Sequence, residues 1–255
     1  CAGFKMGTSG AAFATVFAQI ISVIVSFGVI RKKELPFEMH KTDIGVHGRT
    51  LRKMVGLGAP IALQDLLVSI SFLIILAIVN SMGVTASAGV GVAEKVCAFI
   101  MLISSAFMQS ISAFVAQNYG AGNQERIRKG TRVAFAMSIG FSVMISVLVC
   151  LFAGPLMKIF VSGKEVAVIA AGVKYLRIEG AFYLGIGCLF LLYGYYRAIK
   201  RAEMSVVLTV ISLGLRVLLA YVLSAVIGEV GIWVAIPIGW VMADVTGIVY
   251  MRRTW

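Results

Sequence analysis

Long apolar stretches alternate with short polar connections along the chain, and this pattern predicts its secondary structure. The apolar runs carry few charges and lie at 10–30, 57–81, 96–115, 133–153, 178–196, 204–227 and 230–250. They have the length of roughly 20 residues that a helix needs to cross a bilayer, and they lack the two-residue alternation of barrel strands. We therefore predict an all-α integral membrane protein, a polytopic helical bundle with about seven transmembrane helices.

The composition also favours a membrane location. Of the 255 residues, 60% are apolar and only 13% are charged, and the mean hydropathy is +0.98. A soluble domain could not cover its surface with so few polar side chains. The sequence does not begin with Met and enters an apolar run almost at once, so we expect a fragment of a longer protein.

The net charge of +12 predicts the topology rather than a nucleic-acid partner. If all the runs cross the membrane, most Lys and Arg residues fall on one side, in the connections that hold Arg31, Arg52, Arg126 and Arg197. Positive residues mark cytoplasmic loops. We therefore expect a multi-pass protein of the plasma membrane, with the lipid bilayer around it, a cytoplasmic carboxyl terminus and no nucleic acid.

Motifs that would indicate an enzyme are missing from the sequence. It has no P-loop, no H-E-x-x-H and no G-x-S-x-G motif. The cysteines show no C-x-x-C pairing, which favours buried free thiols. His40 and His47 lie in a polar stretch without other ligands at metal-binding spacing. We expect no catalytic residues, no cofactor and no metal site.

Three ionisable residues inside the apolar runs are candidates for function, because a charge at membrane depth is costly to keep. They are Asp65, Arg216 and Asp244, all in the half of the membrane nearer the predicted cytoplasmic side. Arg216 and Asp244 lie at similar depth on consecutive antiparallel spans, so we expect a structural ion pair between them. Asp65 is then the freer carboxylate, either neutralised by a proton or cation or hydrogen-bonded in a packing role.

Polar stripes at helical spacing run along two of the predicted helices. Ser105, Gln109 and Ser112 share one face, and with Gln64 and Asp65 they are candidates for ion or substrate binding. The second stripe comprises Ser205, Thr209, Ser212 and Arg216. Such faces either line a cavity or hold helices together through hydrogen bonds.

Several segments resemble the MATE (multidrug and toxic compound extrusion) transporters. They are the opening stretch 10–15 with Gln19, the segment 58–64 that begins a span, and the loop 117–123, which contains Gln117, Asn118, Gly120 and Gly122. The two glycines of this loop permit a tight exit from a helix, so we expect the loop to be structural.

The resemblance covers essentially the whole chain and implies half of a two-lobe transporter with twelve helices. It implies the last helix of the amino-terminal lobe at 1–30, a cytoplasmic interlobe linker at 31–56 and the carboxyl-terminal six-helix lobe at 57–255. A weak internal repeat that aligns Gly10 with Gly231 agrees with two related lobes. The partner of this chain is then the missing amino-terminal lobe.

For function, the resemblance implies export of organic cations and drugs by Na⁺ or H⁺ antiport with alternating access. Many members carry acidic residues where Val68 and Ile186 stand, so this chain departs from that ion site. Either Asp65 replaces the missing carboxylate, or the coupling site lies in the missing amino-terminal lobe. One alternative is a lipid-linked oligosaccharide flippase of the same superfamily, which should have several cationic groups where only Arg216 is evident. The other is a membrane-embedded enzyme or scaffold.

Overall fold

The structure, a computed structural model, describes residues 7–32, 45 and 47–254. Within these residues it has eight α-helices and no strand. They are α1 Gly7–Lys32, α2 Gly48–Ser81, α3 Val84–Gly120, α4 Gln124–Lys158, α5 Val166–Gly180, α6 Tyr183–Ala198, α7 Ala202–Ile227 and α8 Glu229–Thr254. Six are long and apolar enough to cross a membrane, and α5 with α6, bent by 55° at their break, can form a seventh span. The predicted polytopic α-helical fold is confirmed.

α1 belongs to a unit of its own, because the chain divides into Cys1–Leu51 and Arg52–Trp255. The side chains of α1 from Ala12 onward are exposed, although most of them are apolar. A helix of this kind needs lipid or other protein around it. The predicted domain bounds stay a prediction, and the linker residues 33–44 and 46, with His40, lie outside the described residues.

The second unit is a bundle arranged around α6. Most residues of α6 are buried, and the helix packs against α3, α4, α7 and α8. Its sequence is apolar on all faces, which suits the centre of a bundle. The hydroxyl of the fully buried Tyr196 donates a hydrogen bond to the backbone carbonyl of Gly247 at 2.7 Å. α6 therefore fixes the positions of the helices around it.

Close contacts in this bundle depend on glycine. A Cβ atom on Gly172 of α5 would lie 2.9 Å from the carbonyl oxygen of Gly89 in α3. A Cβ atom on Gly194 of α6 would overlap the carbonyl oxygen of Met108, also in α3. Membrane helices commonly approach each other through small residues in this way. These contacts hold α3 against both α5 and α6.

α2 stands apart from this bundle. Its buried residues are Gln64, Ser71, Ile75 and Val79, which form a single narrow stripe. The helix reaches the bundle through side chains, Gln64 contacting Arg197 of α6 and Phe72 contacting Arg216 of α7. The space left between α2 and the bundle is a cavity.

Two features of the helices differ from the prediction. First, α2 begins at Gly48 and α3 at Val84, well before their apolar runs. Second, the predicted span 178–196 is not continuous, because α5 ends at Gly180 and Phe182 leaves the helical conformation with φ −112° and ψ 18°. Hydrophobicity reports the part of a helix in contact with lipid, whereas backbone hydrogen bonding sets its ends. The two lengths therefore differ.

The connection between α3 and α4 is a tight turn at the loop motif. Gly122 has a φ of 70°, a conformation that glycine adopts without strain. The side chain of Asn123 then caps α4 by accepting a hydrogen bond from the Arg126 backbone N–H at 3.0 Å. The other motif residues, Gln117, Asn118 and Gly120, lie in the last turn of α3. Gly122 rather than Gly120 supplies the unusual backbone conformation.

Candidate functional site

A cavity of about 340 Å³ lies between α2 and the bundle, inside the apolar part of the structure. Every helix of the second unit except α4 contributes to its wall. Its polar lining consists of Gln64, Asp65, Ser105, Glu179, Tyr193, Arg197, Ser212 and Arg216. The rest of the wall is apolar and aromatic, including Phe72, Phe190 and Trp240. A largely apolar cavity with a few convergent polar groups is the usual form of a small-molecule site.

A larger cleft of about 540 Å³ lies on α3 and α4, but its lining does not suggest a site for polar cargo. Apart from Ser110, its side chains are apolar, and it contains no charged group. An apolar cleft between membrane helices is suited to lipid chains. The cavity beside α2 is therefore the candidate functional site.

The structure brings some of the predicted binding residues together and separates others. Gln64, Asp65 and Ser105 line the cavity. Gln109 is exposed and Ser112 is half-buried, and neither lines it. Along α3 the cavity reaches only from Met101 to Met108, so the predicted polar stripe continues beyond its end.

Arg197 connects α6 to α2 across the cavity. Its Nη2 donates a hydrogen bond to Oε1 of Gln64 at 2.9 Å, while its Nε has no hydrogen-bond partner in the described part of the chain. Asp65 lies within electrostatic reach of this guanidinium. The sequence analysis placed Arg197 in a cytoplasmic connection, but it lies within α6 and lines the cavity. The cavity therefore contains two arginines rather than one.

The ion pair predicted between Arg216 and Asp244 is not formed. Arg216 is only 4% exposed, and its Cζ lies 4.7 Å from the centre of the Phe72 ring on α2. Asp244 lies beside Gly185 of α6, and its Oδ1 has no hydrogen-bond partner among the described residues. On α8 the residue opposite Arg216 is Gly239, about 7.5 Å along the helix from Asp244. The two side chains therefore point towards different helices.

The second predicted stripe divides between packing and cavity. Ser205, Thr209 and Ser212 are all buried. The Thr209 hydroxyl donates to the Tyr193 hydroxyl at 3.0 Å and so joins α7 to α6. Ser212 and Arg216 line the cavity instead. Both interpretations left open for this stripe therefore apply, each to a different part of it.

Two carboxyl groups beside the cavity, the buried Glu179 and the half-buried Glu94, form a cluster that the sequence did not predict. Glu179 of α5 is 3% exposed and lines the cavity. The Cys97 thiol donates to Glu179 Oε2 at 3.7 Å, and the Tyr175 hydroxyl donates to Glu94 Oε1. Arg216 lies within electrostatic reach of both carboxyl groups. Two acidic groups with hydroxyl and thiol neighbours can hold a proton or a cation at membrane depth.

The sequence contained a weak signal for this cluster. Glu179 is near the start of the run 178–196, and Glu94 stands just before the run 96–115, so both resembled residues at the ends of spans. Because α3 begins at Val84, Glu94 lies about three turns inside the helix. Only the packing of α3 against α5 brings the two carboxyl groups close together.

Comparison with known proteins identifies the family. The sequence pattern of the MatE family matches residues 60–222, which is more than half of the chain. The chain belongs to the MatE family. This confirms the resemblance to MATE transporters, and the class of the family is transport rather than catalysis, as predicted.

Curated relatives align with nearly all of this MatE chain. The probable multidrug resistance protein YpnP of Bacillus subtilis (strain 168) is 29% identical over 98% of the chain and 55% of its own length. The FAD transporter of Shewanella oneidensis is 24% identical over 92% of the chain and 52% of its own length. The chain therefore spans about half the length of these relatives.

Solved transporter structures share the fold of this MatE chain. A MOP superfamily transporter from Pyrococcus furiosus superposes with a TM-score of 0.89 at 19% identity, over 98% of this chain and 57% of its own. A variant of the Vibrio cholerae MATE transporter VcmN superposes with a TM-score of 0.86 at 20% identity, over 98% of this chain and 57% of its own. The chain therefore has the fold of about half of a MATE-type transporter, as predicted.

Proposed function

We propose that the protein containing this MatE chain is a secondary active transporter that exports organic cations and drugs across the plasma membrane. Export is driven by Na⁺ or H⁺ antiport with alternating access. The cavity beside α2 carries the proposal, because it combines the carboxyl groups of Asp65 and Glu179 with an aromatic wall inside the membrane-spanning helices. Aromatic faces and carboxylates both attract organic cations. The multidrug resistance proteins among the relatives support this cargo class.

Within that transporter, we assign the chain to the carboxyl-terminal lobe. Residues 1–30 are the last helix of the amino-terminal lobe, 31–56 the cytoplasmic linker and 57–255 the six-span lobe. The matched relatives are about twice as long as the chain, which supports a second lobe as its partner. Movement of the two lobes about the linker then exposes the cavity to each side of the membrane in turn.

Glu179 is our first candidate for the coupling-ion residue, and Asp65 is the second. Val68 and Ile186, where many members carry acidic residues, line the cavity as apolar side chains. The acidic function then comes either from another position on the same wall or from the missing amino-terminal lobe, and the carboxyl groups of this chain favour the first. Glu179 is buried there, with Glu94 close behind it, whereas Asp65 is exposed. A carboxyl group that binds the ion and the cargo in turn couples the movement of the ion across the membrane to the movement of the cargo.

The proposal is tested by efflux of ethidium, a cationic dye, from cells that express the full-length protein. The proton gradient is collapsed with a protonophore and the sodium gradient with sodium-free medium, each in turn. We expect efflux to stop when one of the two gradients is collapsed and to continue when the other is. Glu179→Gln should lower the rate by about tenfold or more, since it removes an ionisable group at membrane depth.

A matched control is Glu125→Gln, which changes an exposed glutamate that pairs with Lys129 on α4. It should leave efflux unchanged. If Asp65→Asn abolishes efflux while Glu179→Gln does not, the coupling residue is Asp65. Well-expressed protein that exports no dye under any gradient would contradict the export of organic cations.

A further inference from the structure

The two arginines of the cavity have more hydrogen-bond donors than the described residues satisfy. Arg216 forms no hydrogen bond with the described residues, and its one aromatic contact is with Phe72. Arg197 donates to Gln64 at 2.9 Å and approaches the Met108 sulfur at 3.8 Å, and its Nε is also without a partner in that part of the chain. A guanidinium group has five N–H donors, and a buried donor without a partner is costly. The contents of the cavity must therefore supply acceptors.

The nearby carboxyl groups do not fill this role. Glu179 lies within electrostatic reach of Arg216, but its Oε2 accepts from the Cys97 thiol. Glu94 lies behind the wall and accepts from the Tyr175 hydroxyl. Neither carboxyl group forms a salt bridge with Arg216 among the described residues. Both stabilise the charge of Arg216 without accepting a hydrogen bond from it among the described residues.

The shape of the wall limits what else can bind there. Arg197 contacts Gln64 and Arg216 contacts Phe72, two positions about 12 Å apart along α2. The two guanidinium groups therefore contact α2 at separate positions. The wall of the same cavity also includes aromatic side chains, with Phe190 and Tyr193 from α6. A ligand that fits has a flat apolar body and a compact group rich in acceptors at one end.

We propose that this cavity binds an aromatic cargo that carries an oxyanion, held by the guanidinium of Arg216. The planar fork of arginine matches a carboxylate or a phosphate through paired hydrogen bonds. Phe72 stacks on the guanidinium and keeps it in place. The inference rests on the proposed transport function, because it names a further cargo class for the same cavity.

The test compares ligands that share one ring and differ in charge. β-Naphthyl phosphate and β-naphthoate carry oxyanions, β-naphthol is neutral, and β-naphthylmethylammonium is a cation. Binding to the purified full-length protein is measured by isothermal titration calorimetry, with matched detergent blanks. We expect both oxyanions to bind at least about tenfold more tightly than β-naphthol, as for a charge-assisted hydrogen bond. The two oxyanions distinguish a carboxylate cargo from a phosphate cargo.

Arg216→Gln should remove this preference, and Arg216→Lys should restore only part of it, since lysine keeps the charge without the fork. Arg128→Gln, which changes an exposed arginine of α4, is the control and should bind like the wild type. If Arg216→Gln does not fold, the wild-type ligand series still decides, because equal affinity for the oxyanions and β-naphthol overturns the proposal.

Three further outcomes test the assignment to Arg216 and separate this inference from the proposed function. Oxyanion binding that is unchanged in Arg216→Gln would overturn the assignment to Arg216. Gradient-driven dye efflux without any preference for oxyanions would overturn the inference and keep the transport proposal. Oxyanion binding by a protein that exports no dye would support the inference and contradict the proposed export of organic cations.

Discussion

Single residues in this chain show that burial of a charge does not imply an ion pair. Arg216, Asp244 and Glu179 are each nearly fully buried, yet none forms a salt bridge within the described residues. A charged side chain at the centre of a membrane helix costs about 2.5 to 3.5 kcal/mol by insertion scales. Each of these groups is therefore satisfied by water, an ion or cargo, or is neutralised. That requirement makes them candidates for function rather than for packing.

A double-mutant cycle on Arg216 and Asp244 tests this conclusion for the predicted pair. The stability of the full-length protein with Arg216→Gln, Asp244→Asn and both changes is measured by thermal unfolding in detergent. Because the two side chains point to different helices, we expect the effects to add within about 0.5 kcal/mol. A cycle on Lys174 and Glu229, whose charged groups are 3.1 Å apart, serves as the paired control. A coupling energy above about 1 kcal/mol for Arg216 and Asp244 would indicate an ion pair after all.

Helices of the bundle are joined in two different ways. α3 meets α5 and α6 through glycine contacts in which the backbones nearly touch. α2 meets the bundle through long side chains that cross a cavity. Backbone contacts of the first kind tolerate little movement, whereas side-chain contacts can break and re-form. The cavity therefore lies between a rigid wall and a helix that is more free to move.

The rigid wall is tested by a pair of glycine substitutions on α3. In Gly89→Ala the new Cβ would lie 2.8 Å from the carbonyl oxygen of Val168 and 2.9 Å from the Ala171 Cβ. We expect a loss of stability of about 1 to 3 kcal/mol, measured by thermal unfolding, because the helices must separate. Gly91→Ala is the control, since a Cβ at Gly91 meets nothing within 4 Å. Equal effects of the two substitutions would show that the close contact is not needed.

The molecule as a whole has a predicted orientation that can be measured directly. In a cysteine-free version of the full-length protein, Gln124→Cys places a single thiol at the start of α4 and Ser162→Cys places one in the connection that follows its end. Arg126 and its basic neighbours predict that Gln124 is cytoplasmic. A membrane-impermeant maleimide should therefore label position 162 in intact cells and position 124 only after permeabilisation. The reverse pattern would contradict the predicted orientation and the cytoplasmic carboxyl terminus.

Much of this architecture follows from local properties of the sequence. Hydrophobic runs of membrane-spanning length predict the helices, because unpaired backbone groups in lipid leave few other structures. The motif at 117–123 predicts the tight turn, because Gly122 can adopt the positive φ that the turn requires. The family resemblance also rests on such local segments. A short stretch of sequence is enough to predict each of these features, because their physical cause is local.

The site depends instead on contacts between distant parts of the chain. The sequence identified Asp65 and Gln64 on the cavity wall, but it paired Arg216 with Asp244 and missed Glu94 and Glu179. Depth along a helix can be counted from the sequence, whereas the rotation of each helix and the break between α5 and α6 arise only when the helices pack. The sequence by itself determined the membrane fold and the family. The tertiary structure alone decided which polar groups meet, because only packing sets the direction in which each side chain points.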